Sequence, residues 1–355
     1  MGYRRLGIVA ALATASALAL AGCGEAPPTG AGPTGEGAEY CARMVTNSGG
    51  LEDRSFNQSS WEGLQQAEEE FGIDAEAIVS TEETDLAPNV QQAVDTGCQL
   101  IVTVGFELAD ATLEQAGQNP DTHFAIVDEQ VEGDNIKPVV FDTAQAAYLA
   151  GYLAAGVSKS GVVATFGGGN QPPVTLFMDG FVDGVAAYNA AHGTSVTALG
   201  WNKETQDGVF TGDFEDINKG LVTTQGFIDQ GADVILPVAG QVGEGAAQAA
   251  LGSGALVIWV DSDGYETLPA EFRPVLLTSV LKNTGNAVVE AVKASMDGTF
   301  DNTPYVGTLE NGGVEIAPYH DLDARVSAEL RVEVEQLRAD IVAGVIEVVS
   351  PSSPG

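Results

Sequence analysis

Asn47-Ser48-Gly49-Gly50-Leu51-Glu52-Asp53-Arg54-Ser55-Phe56-Asn57-Gln58 is the stretch that decides the fold. It follows a short run, Cys41 to Thr46, that reads as a strand. It leads into Trp61-Glu62-Gly63-Leu64-Gln65-Gln66-Ala67, which reads as a helix. A Gly-rich turn between a first strand and a first helix sits at the carboxyl end of a parallel sheet, where open α/β folds bind ligands. Asp53, Phe56 and Asn57 place an acid, an aromatic and an amide within five residues of each other. Together they suit a flat, polar, uncharged molecule.

Outward from this turn, strand and helix patterns alternate. Apolar runs that read as strands include 77–79, 100–104, 124–127, 139–141, 162–166, 196–200, 234–237, 256–260 and 275–280. Helical patterns stand between them, which implies parallel sheets covered by helices. The folded length exceeds what one ordinary core supports, so two lobes are expected. Phe141-Asp142-Thr143 closes the first unit. The helix 284–296 has no adjacent partner in the second unit and returns to the first. The expected division is 40–141 plus 281–303 for one lobe, and 142–280 plus 304–349 for the other. Three crossings between two Rossmann-like lobes make a hinged clamshell. The tail 350–355 reads as disordered.

The N-terminus gives an address. Arg4 and Arg5 precede a small apolar run, Leu6 to Leu20, too short for a span of about 20 residues. It reads as the h-region of a secretory signal ending at residue 22. Leu20-Ala21-Gly22-Cys23 resembles the bacterial lipobox, whose Cys is lipidated. Residues 23–39 are Gly-, Pro- and Ala-rich and read as a tether. The expected location is the extracytoplasmic face of a bacterial cell membrane, held by a lipid anchor.

Net charge is −36, from 50 acidic and 14 basic residues. That excludes nucleic acid as a partner of this surface. Cys41 opens the first strand and Cys98 precedes the third. In a sheet of order 2-1-3 these strands are neighbours, so the two thiols either pair or stay free and buried. A Cys metal site lacks partner ligands, and no cofactor motif is present.

Asp53, Asp128 and Asp261 each stand at or beyond the carboxyl end of a strand. A single Asp there is often a helix cap or turn former, whereas three converging on one cleft suit hydroxyl and N–H donors and repel phosphate. Lys282 can neutralise one of them, with Asp261 the expected partner. Phe56 either stacks on a ligand or staples the helix entry. Gly240 and Gly243 let backbone approach a ligand. His123, His192 and His320 have no nucleophile-elbow context, and no general acid or activated water is identifiable, so the chain reads as a binding protein and not an enzyme.

The chain resembles the Bmp/PnrA-like basic membrane lipoproteins, substrate-binding proteins of ABC importers. The marks are residues 49–58, Phe124-Ala125-Ile126-Val127-Asp128, Tyr148-Leu149-Ala150-Gly151, Gly231-Ala232-Asp233-Val234-Ile235, Ala239-Gly240-Gln241-Val242-Gly243, Val260-Asp261-Ser262-Asp263, and Thr278-Ser279 ahead of Lys282. The resemblance implies a type I fold with a purine nucleoside such as adenosine, guanosine or inosine between the lobes, sandwiched by two aromatics. Phe56 matches the first aromatic. Phe214 is the candidate for the second, with Trp201 or Phe210 as alternatives. Asp53, Asn57, Asp128, Asp261 and Lys282 match the polar positions. An ABC permease is the implied partner, and a monomer the implied state. A receptor of the same fold for a sugar, or a surface sensor that does not transport, remains open at this point.

Overall fold

A computed structural model describes residues 40–354. The signal segment, the Cys23 lipidation site and the tether lie outside the described residues. The first sheet uses β1 (Cys41–Thr46), β2 (Asp74–Ile78), β3 (Leu100–Val104), β4 (His123–Val127) and β5 (Ile136–Phe141), with α1 (Phe56–Phe71), α2 (Leu86–Asp95) and α3 (Ala109–Gln118) between them. The chain then builds a second unit: α4 (Thr143–Val157), β6 (Val162–Gly167), α5 (Pro172–His192), β7 (Thr197–Leu199), the hairpin β8 (Trp201–Asn202) and β9 (Asp207–Gly208), α6 (Ile217–Asp229), β10 (Val234–Val238), α7 (Val242–Ser253), β11 (Leu256–Asp261), α8 (Gly264–Thr267) and β12 (Leu276–Lys282). It returns for α9 (Thr284–Met296) and β13 (Tyr305–Gly307), and ends with β14 (Val314–Ile316) and α10 (Ala328–Val342).

The two large sheets run β2-β1-β3-β4-β5-β13 and β7-β6-β10-β11-β12-β14. They are built to one plan, with the first strand second in order and each crossover bringing the next strand alongside. Pairing within them is parallel except at β12–β14. The central strands are apolar because helices cover both faces: β3, β10 and β11 are buried at every position.

Helix α4 is apolar on nearly all sides and packs along α5. The backbones approach so closely that a Cβ on Gly151 would lie 2.0 Å from the Phe181 carbonyl oxygen, and one on Gly184 2.0 Å from that of Tyr148. On the first lobe α9 packs against α1, so the returning helix covers the sheet it had left.

The boundaries differ from the expected ones at three points. Leu281 and Lys282 complete β12, so the second crossing follows Lys282. Tyr305–Gly307 pairs in parallel with Val139–Phe141, so this segment belongs to the first lobe and the third crossing follows Gly307. The segment 350–354 is held and not loose. Asp179, fully buried in α5, requires donors, and Ser350 Oγ donates to its Oδ2 at 2.6 Å, beside Trp201 Nε1 at 2.7 Å to Oδ1. Ser352 Oγ lies 2.8 Å from Thr175 Oγ1. Pro-rich composition did not reveal a tail that satisfies a buried carboxylate.

Cys41 and Cys98 form a disulfide with their Cα atoms 4.9 Å apart. It joins the amino-terminal starts of neighbouring β1 and β3, the edge of the sheet away from the loops that follow these strands. Replacing both cysteines by serine should lower the unfolding free energy by about 2 to 4 kcal/mol. Denaturant unfolding reads this, and an unchanged midpoint would show that the crosslink does not constrain the unfolded chain.

Candidate ligand-binding site

One cavity lies at the carboxyl ends of both sheets, with an empty volume of ≈ 640 Å³ that includes space open to solvent. Asp53, Phe56, Asn57, Asp128, Phe214, Gly240, Asp261 and Lys282 all line it. So do Asn47, Phe106, Glu107, Phe177 and Gln241, which the sequence reading did not select.

The β1–α1 turn owes its shape to Asp53. This carboxylate, 5 % exposed, accepts backbone N–H groups from Ser55 at 3.1 Å, Asn57 at 2.8 Å and Gln58 at 3.0 Å. These are donors that a helix start leaves without partners. Asp53 therefore fixes the first turn of α1, the capping alternative, while also forming cavity wall. Burial raises its pKa, and the three N–H bonds oppose that rise. Phe56 and Asn57, the next two wall residues, are thereby held in place. The Asn57 amide donates to Asn47 Oδ1 at 2.9 Å and the Ser48 carbonyl at 3.1 Å, while its own Oδ1 is buried without a hydrogen-bond partner.

The charged centre is symmetric. The fourth strand of each sheet ends in an aspartate in the left-handed region: Asp128 after β4 at φ 68° and Asp261 at the end of β11 at φ 67°. Lys282, 4 % exposed at the end of β12, reaches both. Its Nζ donates to Asp128 Oδ2 at 2.6 Å and lies 3.3 Å from Asp261 Oδ1. Asp261, the partner expected from sequence, is therefore paired with Lys282, but Asp128 across the cleft is nearer; Asp261 also accepts from Ser55 Oγ at 2.5 Å. Burial pulls the Lys282 pKa down, but the two carboxylates outweigh it and the net direction is up. The ammonium also sits 4.5 Å from the centre of the Phe56 ring and 5.6 Å from that of Phe177, within cation–π range.

Around this centre the wall is apolar and acidic. Glu107, beside β3, lies 3.3 Å from the Asn47 amide nitrogen. Burial raises its pKa, and that hydrogen bond only partly opposes the rise. Phe214 lies over Gly168, where a Cβ would come within 2.3 Å of its ring, so the Gly167-Gly168-Gly169 turn is what admits it. Of the alternatives, Trp201 is 7 % exposed with its indole N–H bonded to Asp179. Phe210 packs edge-on to Trp201, and neither lines the cavity. Phe106, Glu107 and Phe177 were missed for physical reasons. Glu107 reads as the first residue of a helical stretch with Phe106 in the turn before it, and Phe177 stands just ahead of the helical pattern 178–191.

The family model for PnrA-like ABC transporter substrate-binding proteins, Bmp, matches residues 42–351. The chain belongs to the Bmp family. It is 30% identical over 366 residues to the ABC transporter nucleoside-binding protein BmpA of Lactococcus lactis subsp. cremoris, covering 98% of this chain and 99% of that protein. It is 30% identical over 335 residues to the CD4+ T-cell-stimulating antigen of Listeria monocytogenes, covering 89% of each. Among solved structures, an ABC transporter solute-binding protein of Aeropyrum pernix K1 superposes with a TM-score of 0.78 at 24% identity, over 88% of this chain and 94% of that one. The fold is that of type I periplasmic-binding proteins. Bmp-family members are extracytoplasmic substrate-binding proteins and not enzymes. Among the described residues no helix is long and apolar enough to cross a membrane, and no group of His, Cys, Asp or Glu is arranged to hold a metal.

The half-buried Glu107 of this Bmp protein makes stability depend on pH. Its folded pKa is raised above the unfolded value of about 4.3, so the folded state favours the protonated form. That contribution is present below pH ~4.3 and is lost as pH rises through the folded value. At pH 7, well above the unfolded value, the raised pKa therefore costs stability. Glu107→Gln should melt higher than the parent at pH 7, with the difference shrinking towards pH 4. A difference independent of pH would refute the assignment.

Proposed function

We propose that this Bmp-family protein captures a purine nucleoside between its lobes and presents it to an ABC permease, held at the outer face of the membrane by a lipid on Cys23. The observation that carries the reading is the makeup of one cavity: Phe56, Phe106, Phe177 and Phe214 share it with Asp128, Asp261 and Glu107. Aromatic rings give a planar base its faces, at about 1–3 kcal/mol per stacked contact. Carboxylates accept hydrogen bonds only, and so take ribose hydroxyls and base N–H groups. Phosphate is disfavoured, because Lys282, the one lysine on the cavity wall among the described residues, is already paired with two aspartates. The relative from Lactococcus lactis named as nucleoside-binding points the same way.

In this reading Phe56 and Phe214 take the two faces of the base. Asp261 and Lys282, with Asp128, hold the ribose. Glu107, Asn47 and Asn57 read the base edge, and the unpartnered Asn57 Oδ1 is an acceptor that a ligand donor satisfies. Asp53 acts mainly through the turn that it holds, and Gly240 leaves the floor open beside Phe214. The disulfide suits a compartment outside the cytoplasm, and a monomer is sufficient because one chain supplies both walls.

Calorimetric titration tests this. Protein unfolded and refolded to strip carried-over solute is titrated with adenosine, guanosine, inosine, uridine and ribose. Micromolar or tighter binding of a purine nucleoside with ribose silent is expected, and silence of every nucleoside would reject the reading. Phe56→Ala should weaken binding roughly ten- to hundredfold with the fold intact by circular dichroism. Equal affinity in that variant would remove stacking from the account.

A further inference from the structure

The β1–α1 turn belongs to the first lobe by chain connectivity, yet its tip is bound to the second lobe. The Arg54 carbonyl accepts from Ser262 Oγ at 2.6 Å, Thr267 Oγ1 at 3.0 Å and Trp259 Nε1 at 3.2 Å. The Arg54 side chain donates to the Thr267 carbonyl at 3.1 Å and pairs with Glu244 at 2.8 Å. None of Arg54, Glu244, Trp259, Ser262 and Thr267 lines the ligand cavity.

The socket is built for this contact. Trp259 is fully buried, and Gly243 and Gly264 make room for it: a Cβ on either would come within 2.6 and 2.8 Å of its side-chain atoms. That packing aims the indole N–H at the Arg54 carbonyl. Glu244 stands in the first turn of α7, where the helix field favours an acid. Its side chain is only 13% exposed, so the ion pair is better shielded than an ordinary surface pair. Arg54 itself is held at φ 59°, a left-handed conformation that costs a non-glycine residue energy and persists where surrounding contacts fix it.

We propose that Arg54 is the bolt of a ligand-independent latch, which forms when the lobes close and sets how long any bound solute is retained. It is a positioning residue, for it touches the opposite lobe and not the ligand. Apparent affinity is the intrinsic affinity scaled by the fraction of molecules that are closed, so weakening the latch lowers affinity for every solute by one common factor. The loss appears in the dissociation rate, because the contacts must break before the cleft opens. A pocket residue behaves otherwise, since its removal changes the ranking of ligands. The proposal rests on the nucleoside reading only for the choice of titrant.

The test compares the parent with Arg54→Ala and with the milder Glu244→Gln and Thr267→Val, so that a folding failure in one does not decide the matter. Dissociation constants and dissociation rates are measured for adenosine and inosine, and radii of gyration by X-ray scattering of ligand-free protein. Arg54→Ala should weaken both nucleosides by the same factor of roughly ten, through faster release, and enlarge the ligand-free radius. The milder variants should follow with smaller changes in the same sense. Affinities and radii within error of the parent, or losses that differ between the two nucleosides, would overturn the latch. If the parent binds neither nucleoside, the function proposal fails and the scattering decides the latch alone: equal radii would reject it.

Discussion

One buried ammonium organises the cleft. Lys282 comes from the second lobe, Asp261 from the same lobe and Asp128 from the other, and the three meet with almost no access to water. Removing a charge from water is costly, and a paired geometry offsets that cost only when the partners are fixed. Each partner is fixed by its place at the end of a fourth strand, and the left-handed backbone at both aspartates turns the side chain inward. Removing Lys282 leaves two buried carboxylates without their cation, whereas removing one aspartate leaves a one-to-one pair. The ion triad thus adds less to net stability than to the definition of a single cleft geometry, and it places a cation against the Phe56 ring.

The symmetry behind this centre is topological. Two sheets with the same strand order face each other through their carboxyl edges, so a residue at a given strand end in one lobe has a counterpart in the other. Asp128 and Asp261 are one such pair. The lobes differ in what they bring to the cavity wall: an acid at 107 in the first, and Phe214 over a glycine turn in the second. A cleft assembled from two copies of one plan acquires direction only through such departures.

Much of this was legible in the sequence because the signals were periodic or dense. Alternation of apolar runs with helical patterns marked the two sheets, and residues 49–58 concentrated the cleft chemistry. Other features carry no local signal. Asp53 as cavity wall and Asp53 as helix cap look the same in one dimension, and the capping role is visible only in its three backbone N–H bonds. Phe177 belongs to an apolar helix face and was indistinguishable from core. The choice of Asp128 as the nearer partner of Lys282 depends on how the lobes meet. The segment 350–354 looked loose because composition cannot show that Asp179 lies buried 171 residues earlier, needing a donor.

The three crossings also order events in time. The first lobe takes its covering helix α9 and edge strand β13 from chain made after nearly all of the second lobe's sheet. The second lobe in turn needs β14, α10 and Ser350 from the last part of the chain. A nascent polypeptide that has reached only residue 283 therefore holds two unfinished sheets, one of which still exposes the flank that α9 will cover. Neither lobe can complete its sheet until the chain beyond residue 283 has been made.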